Sequence, residues 1–413
     1  MRGRSALICL FFAMFTAGCA SDGEEEEQPE PTPPPAPSQP EALNRERIPV
    51  LTFEQQLEAD PALAETPIIL PLPYRNADWP QAMATPSHAP QHLWLGESLS
   101  RVWRVDIGDG SDLFTRLIMP PVVADGRVFT IDTRGRVSAW RAGDGERLWR
   151  KRIELEGEVD ALAFGGGLAY ENGRLFVTTG HGVLVALDAG NGEEIWRHLN
   201  IVPFRGPPTL AEGRVFANTQ DNQIIALDAE SGAMQWVQAG LPEESALLGA
   251  GAPAVSDSTV VTGLSSGELM AMRVENGTRV WQDTLSRTRR LTPLASLADI
   301  DADPVITGGN VYAVGHAGVM VAIDMRSGER VWENNIAGVR TPWAGGANLF
   351  VLTVDAELVA VSNEDGRVRW VTRLQRFENP EDREAPIAFA GPVLAGDRLI
   401  VVASNGFVIS VSP

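Results

Sequence analysis

The chain has 413 residues, 44% of them hydrophobic and 21% charged, an ordinary globular composition with enough apolar material for a large core. Its formal net charge of −20 would repel nucleic-acid phosphates and excludes that class of partner. The only two cysteines, Cys9 and Cys19, lie near the N-terminus, so the remaining chain has no internal disulfide, no cysteine-pair cofactor site and no thiolate metal ligand.

In chain order, Arg2 and Arg4 precede an apolar run from Ala6 to Phe15, too short to span a bilayer but suited to the centre of a secretory signal peptide. The "TAGCAS" that follows resembles the bacterial lipoprotein signal. That resemblance implies a signal peptide over residues 1–18, acylation of Cys19 with palmitate among the chains, and, with Ala20 and Ser21 next, sorting to the outer membrane. Residues 19–47 are rich in proline and glutamate, cannot build a core, and read as a tether reaching on the order of 80 Å. Residues 48–100 read as an extended N-terminal arm over the main body, with room for one short helical turn in "IPVLTFEQQLEADPAL" and with "PIILPLPYRNADWPQ" too proline-rich for regular structure.

From Arg101 to Pro413 one unit repeats. Its marker is a glycine four residues before a tryptophan: Gly145 and Trp149, Gly192 and Trp196, Gly232 and Trp236, Gly277 and Trp281, Gly328 and Trp332, Gly366 and Trp370. The units are about 40 to 50 residues apart, a period of solenoids or propellers. The first unit reads as four short strands, "PPVVA", "RVFTID", "RVSAW" and "RLWRKRI", joined by turns at Asp125-Gly126, Arg134-Gly135 and Gly145. Four antiparallel strands per unit make one propeller blade, so the fold class is an all-β propeller. The glycine makes the turn into the outer strand. Trp149, Trp196, Trp236, Trp281, Trp332 and Trp370, with Trp103 ahead of them, are expected to dock one blade on the next. "Ala-x-Asp" before the turn, as in Ala186-Leu187-Asp188, supplies a turn-capping carboxylate.

Catalytic patterns are absent. Of the five histidines, His88 and His92 are spaced for a helical metal pair that Pro90 breaks, and His181 and His316 fall at matching turns of two blades, so no metal site is expected. "FGGGLAY" is a strand entry without the Lys or Thr of a phosphate loop. Two links between blades are long, residues 285–306 and 371–394, and long links are where function concentrates. The first carries Arg287, Arg289 and Arg290, then Asp299, Asp301 and Asp303, a charged surface suited to a protein partner.

"ALDAGNGEEIW", "ALDAESGAMQW" and "AIDMRSGERVW" resemble the repeats of pyrroloquinoline-quinone-type propellers. From the lipoprotein signal through "NADWPQ" and every repeat, the chain resembles the BamB family of outer-membrane β-barrel assembly lipoproteins. The resemblance implies eight blades and a non-catalytic scaffold without cofactor. It also implies a lipid-anchored place on the periplasmic face of the outer membrane, binding to the periplasmic domains of BamA and contact with unfolded outer-membrane clients. It carries Asp299 and Asp301 of "LADIDADPV", and Leu247 and Leu248 of "SALLGAGAPAV", into partner binding, although Leu248 stands where the family can show a basic residue. Seven units are readable, and the chain stops at "GFVISVSP", where a seventh glycine turn would begin. The expectation is a C-terminal truncation, the alternative a seven-bladed ring closed by the strand around Trp103. Two other functions stand beside the scaffold. A lipid-anchored quinone dehydrogenase would need bound calcium and a quinone cap for which no insert is large enough. A carbohydrate-binding propeller would need exposed aromatics on its loop face.

Overall fold

The computed structural model describes residues 57–63, 66–112, 116–154, 165–243, 249, 251–285 and 298–413. Cys19, the signal peptide and tether, Leu247, Leu248, Arg287, Arg289 and Arg290 lie outside them. The described residues fold as a β-propeller. Blade 1 is β1 (Val122–Ala124), β2 (Arg127–Ile131), β3 (Arg136–Arg141) and β4 (Arg147–Arg152), hydrogen-bonded in chain order. Five more four-stranded blades follow: β5–β8 over residues 166–199, β9–β12 over 209–239, β13–β16 over 254–284, β17–β20 over 305–334 and β21–β24 over 343–373. A hairpin, β25 (Phe377–Asn379) and β26 (Glu384–Pro386), precedes a seventh, three-stranded sheet, β27–β29 over residues 389–411.

The inner strands are apolar on both faces because each blade is packed between two others. The third strand of blade 2, Val183–Asp188, is buried over VLVAL, whereas no residue of the outer strand Glu194–Leu199 is buried. The first turn of blade 1 needs positive φ at both central residues, Asp125 at 49° and Gly126 at 67°, which is the hairpin geometry their sequence favours.

The repeated tryptophan does not stay within its own blade. A Cβ on the turn glycine of the following blade would stand between 2.5 and 2.9 Å from the preceding tryptophan, for the pairs Trp103–Gly145, Trp149–Gly192, Trp196–Gly232, Trp236–Gly277, Trp281–Gly328 and Trp332–Gly366. Only glycine lets the indole lie on that turn. Each of these six indoles also donates its N–H to a carbonyl of the same turn, as from Trp281 to Met325 at 2.8 Å and from Trp149 to Ala189 at 3.0 Å. The residue opposite the tryptophan across the third ladder is alanine in all six four-stranded blades, for example Ala186 opposite Trp196, and a bulge follows it. A small residue there leaves room for the indole. Trp370 differs: its ring lies 6.2 Å from Phe350, and its buried indole N–H has no hydrogen-bond partner.

Residues 101–107 enter no sheet, and β29 pairs only with β28 among the described residues. Trp103 is docked on blade 1, so its strand does not close a seven-bladed ring by pairing with the last sheet.

Residues 79–96 form an inner strap that visits every blade beside the first turn. Trp79 exchanges two backbone hydrogen bonds with Val123 of blade 1. Pro80 accepts from Tyr170 of blade 2, and the Gln81 side chain accepts from the Leu210 amide of blade 3 at 2.8 Å. Pro86 accepts from Val255 of blade 4, and Ser87 from Ile306 of blade 5. Gln91 takes the Trp343 indole N–H of blade 6, and Leu93 bonds Leu394 and Gly396 of blade 7. Val123, Tyr170, Leu210, Val255 and Ile306 occupy one register position, the last residue but one of each first strand before its turn. Trp79 stacks on Trp343, their centroids 6.2 Å apart. Both histidines of the broken metal pair fasten this strap. His88 Nδ1 donates to Pro304 O at 2.9 Å and His92 Nδ1 to Pro71 O at 2.7 Å. Burial pushes the His88 pKa down, against the opposing charge of Asp303.

Candidate functional site

In a blade of four antiparallel strands, the first and third turns lie at one end, and the second turn and the inter-blade links at the other. The strap runs along the first end. Asp299 and Asp301 lie at the second, in the link between blades 4 and 5. The link is held by backbone bonds to second turns: Ile300 N–H to Leu264 O at 3.2 Å, and His316 N–H to Asp299 O at 2.9 Å. Gly251 gives it space, since a Cβ there would stand 2.6 Å from Ala302 O.

Asp299 is 1% exposed and accepts from Arg205 Nη2 at 3.0 Å. Arg205, 4% exposed, comes from the link between blades 2 and 3. Its backbone is set by its own N–H to Asn218 O at 2.9 Å and by Gly166 N–H to its carbonyl at 3.3 Å. Arg205 Nη2 also stands 3.5 Å from Asp301 Oδ1. The Asp301 carboxyl is pushed up to about 7, first by burial and then by the charge of Asp299, against the pull of Arg205 and Arg340. Asp303 is a knot between links: it accepts from Ala252 N–H at 2.6 Å and from Thr341 Oγ1 at 3.0 Å.

The structure thus brings Asp299 and Asp301 together and buries most of both, where the charge run suggested a solvated surface. The residue that organises them, Arg205, is 94 positions away in "VPFRGPP" and carried no signal beyond a lone arginine among apolar and proline residues. Arg340, from the link between blades 5 and 6, was equally silent. Among the described residues no three His, Cys, Asp or Glu side chains are grouped to hold a metal.

A family model described as "Outer membrane protein assembly factor BamB" matches residues 95–161, 134–372 and 344–413. The outer membrane protein assembly factor BamB of Alkalilimnicola ehrlichii is 37% identical over 318 residues, 77% of this chain and 79% of the relative. The chain belongs to the BamB family. BamB of Yersinia pestis is 26% identical over 305 residues, 73% of this chain and 76% of the relative. The crystal structure of BamB from Moraxella catarrhalis matches with a TM-score of 0.56 at 20% identity, covering 71% of this chain and 84% of that one, a likeness of propeller fold. The BamB family is one of outer-membrane assembly factors, and this member is not an enzyme.

Proposed function

We propose that this chain is a lipid-anchored scaffold on the periplasmic side of the outer membrane that docks the periplasmic domains of BamA on its link face and assists the insertion of outer-membrane proteins. The observation that carries this reading is the inequality of the two faces. The strap covers the inner strands at the first-turn end, and residue 60 is bonded there too, Asp60 N–H to Val368 O at 2.8 Å. The strap thus occupies the first-turn end, and the link face is the end offered to a partner. The Asp299–Asp301 link, with Leu247, Leu248, Arg287, Arg289 and Arg290 from the same set of links, supplies the docking surface. A rigid propeller can orient BamA without changing shape itself.

The burial of Asp301 makes it a poor site for a bulky probe, so photo-crosslinking in the source cell is placed at exposed Gln220 on a second turn and at Leu248. The control is exposed Asp144 on the opposite face. BamA adducts from the first two positions and none from Asp144 are expected. BamA adducts from Asp144 alone, or from no position in stably expressed protein, would overturn the assignment of the face.

A further inference from the structure

Positive charge is scarce in a chain of formal net charge −20, yet it is concentrated on one rim of the propeller. The outer strand of blade 1, β4, reads RLWRKR, with four cations and no carboxylate in six residues. Arg147, Arg150, Lys151 and Arg152 are all exposed, and none of them forms a salt bridge with a described residue. The other outer strands differ. Glu194–Leu199 pairs Glu194 with Arg197, Met234–Ala239 is uncharged, and Arg279–Thr284 and Arg330–Asn334 each carry both signs. Val368–Arg373 has two arginines, of which Arg373 is paired with Glu357.

Two further observations extend the strip. Arg150 Nη2 donates to Asp106 O at 3.4 Å and Trp103 lies on the Gly145 turn, so residues 101–107 run beside blade 1 and add exposed Arg101 and Arg104. Apolar side chains stand among the cations: Leu148 is 39% exposed within the strand and Ile195 44% on the next rim. Glu194 on that rim is bonded to Arg197, and Lys151 acts on it through charge.

We propose that this rim is a contact surface for an anionic lipid bilayer, with its arginine and lysine heads at the headgroups and Leu148 dipping between them. Long cationic side chains lay their stems on apolar surface while their heads stay in the polar layer, and an apolar neighbour deepens such a contact. The net charge of −20 repels the remaining surface, so attraction and repulsion together select this edge. The rim lies between the two ends of the propeller, so the contact leaves the link face to the docking argued above. The inference rests on the lipid-anchored reading only for bringing a bilayer within reach.

The mature chain, residues 19–413 with Cys19→Ser so that no acyl anchor contributes, is titrated with vesicles. One set is phosphatidylcholine alone and the other contains about 30% phosphatidylglycerol, each at about 0.05 M and about 0.5 M salt. Wild type should bind the anionic vesicles at low salt, lose that binding at high salt and ignore the neutral ones. Each cation near an anionic surface is worth about fivefold in binding, so Arg147→Gln with Lys151→Gln and Arg152→Gln should weaken it at least about tenfold. Arg273→Gln with Arg326→Gln and Arg383→Gln changes the net charge equally at exposed positions elsewhere, and should stay within about twofold of wild type. All six side chains are exposed, so both variants keep the fold. Equal weakening by the two sets, equal binding to neutral vesicles, or no binding by wild type would overturn the rim contact. Binding of poly-glutamate at low salt without vesicle binding would overturn it in favour of an acidic polypeptide. BamA adducts at the link face are read separately, so failure here leaves the docking face standing.

Discussion

The six tryptophan–glycine latches and the Asp299–Arg205–Asp301 cluster are built on opposite plans. Every latch repeats one design: a glycine turn, a carbonyl for the indole N–H and the ring of the preceding tryptophan, with an alanine opposite that ring in all but Trp103. The cluster occurs once, and its parts come from different links. In the latches burial and hydrogen bonding agree, and each indole is satisfied. In the cluster burial and charge conflict, and Asp301 bears the conflict. Repetition marks what holds the propeller together, and the unrepeated arrangement is the one in which burial leaves a charge incompletely compensated.

The sharpest break of this comparison is Trp281→Ala, which removes the indole lying on Gly328 and the bond to Met325 O. Urea unfolding should show a loss of about 3–5 kcal/mol. An effect below about 1 kcal/mol would mean the latch is incidental.

On the cluster side, Arg205→Met removes the guanidinium that donates to buried Asp299 and should cost about 3 kcal/mol, with Arg205→Lys costing less. If both variants unfold with wild-type midpoints, the guanidinium is not what neutralises Asp299.

Asp301→Asn should have the opposite sign. The carboxyl's folded value, about 7, lies above its unfolded 3.8, so the folded state binds more protons between them and wild type loses stability as pH rises through that window. The asparagine variant escapes this loss. It should be more stable than wild type by about 2 kcal/mol at pH 8, a difference shrinking towards pH 4, read from paired denaturation curves.

The smallest effect compares two tryptophans. Trp281→Phe loses a made hydrogen bond and orphans a carbonyl, costing about 1–2 kcal/mol; Trp370→Phe removes an N–H that has no partner and should be within about 0.5 kcal/mol of neutral. Equal costs at the two positions would show that ring packing outweighs the indole bond.

The propeller was legible because its information is local. Each strand, turn and latch residue recurs at fixed spacing, so the sequence states the blade six times over, and Asp188, Asp228 and Asp324 indeed accept the backbone amides of their turns. The second-strand aromatics that lie against the outer-strand tryptophans, Phe129, Phe176, Phe216, Tyr312 and Phe350, also recur but pass in sequence for ordinary core residues. That each tryptophan serves the following blade could not be read, since spacing does not say which neighbour a ring faces.

The strap was illegible for a different reason. "NADWPQ" and the residues after it form no regular element, and their partners are edge amides that belong to every blade alike. The sequence by itself determined the blade, its turns, its apolar inner strands and the two aspartates worth watching, because hydrophobic period and turn chemistry act within a few residues. Only the tertiary structure decided that Arg205 reaches those aspartates, that Asp301 Oδ1 is buried without a hydrogen-bond donor, and that a strap runs along one end of the propeller. Those facts depend on which links the ring brings together, and on how much water the packed blades leave around a charge.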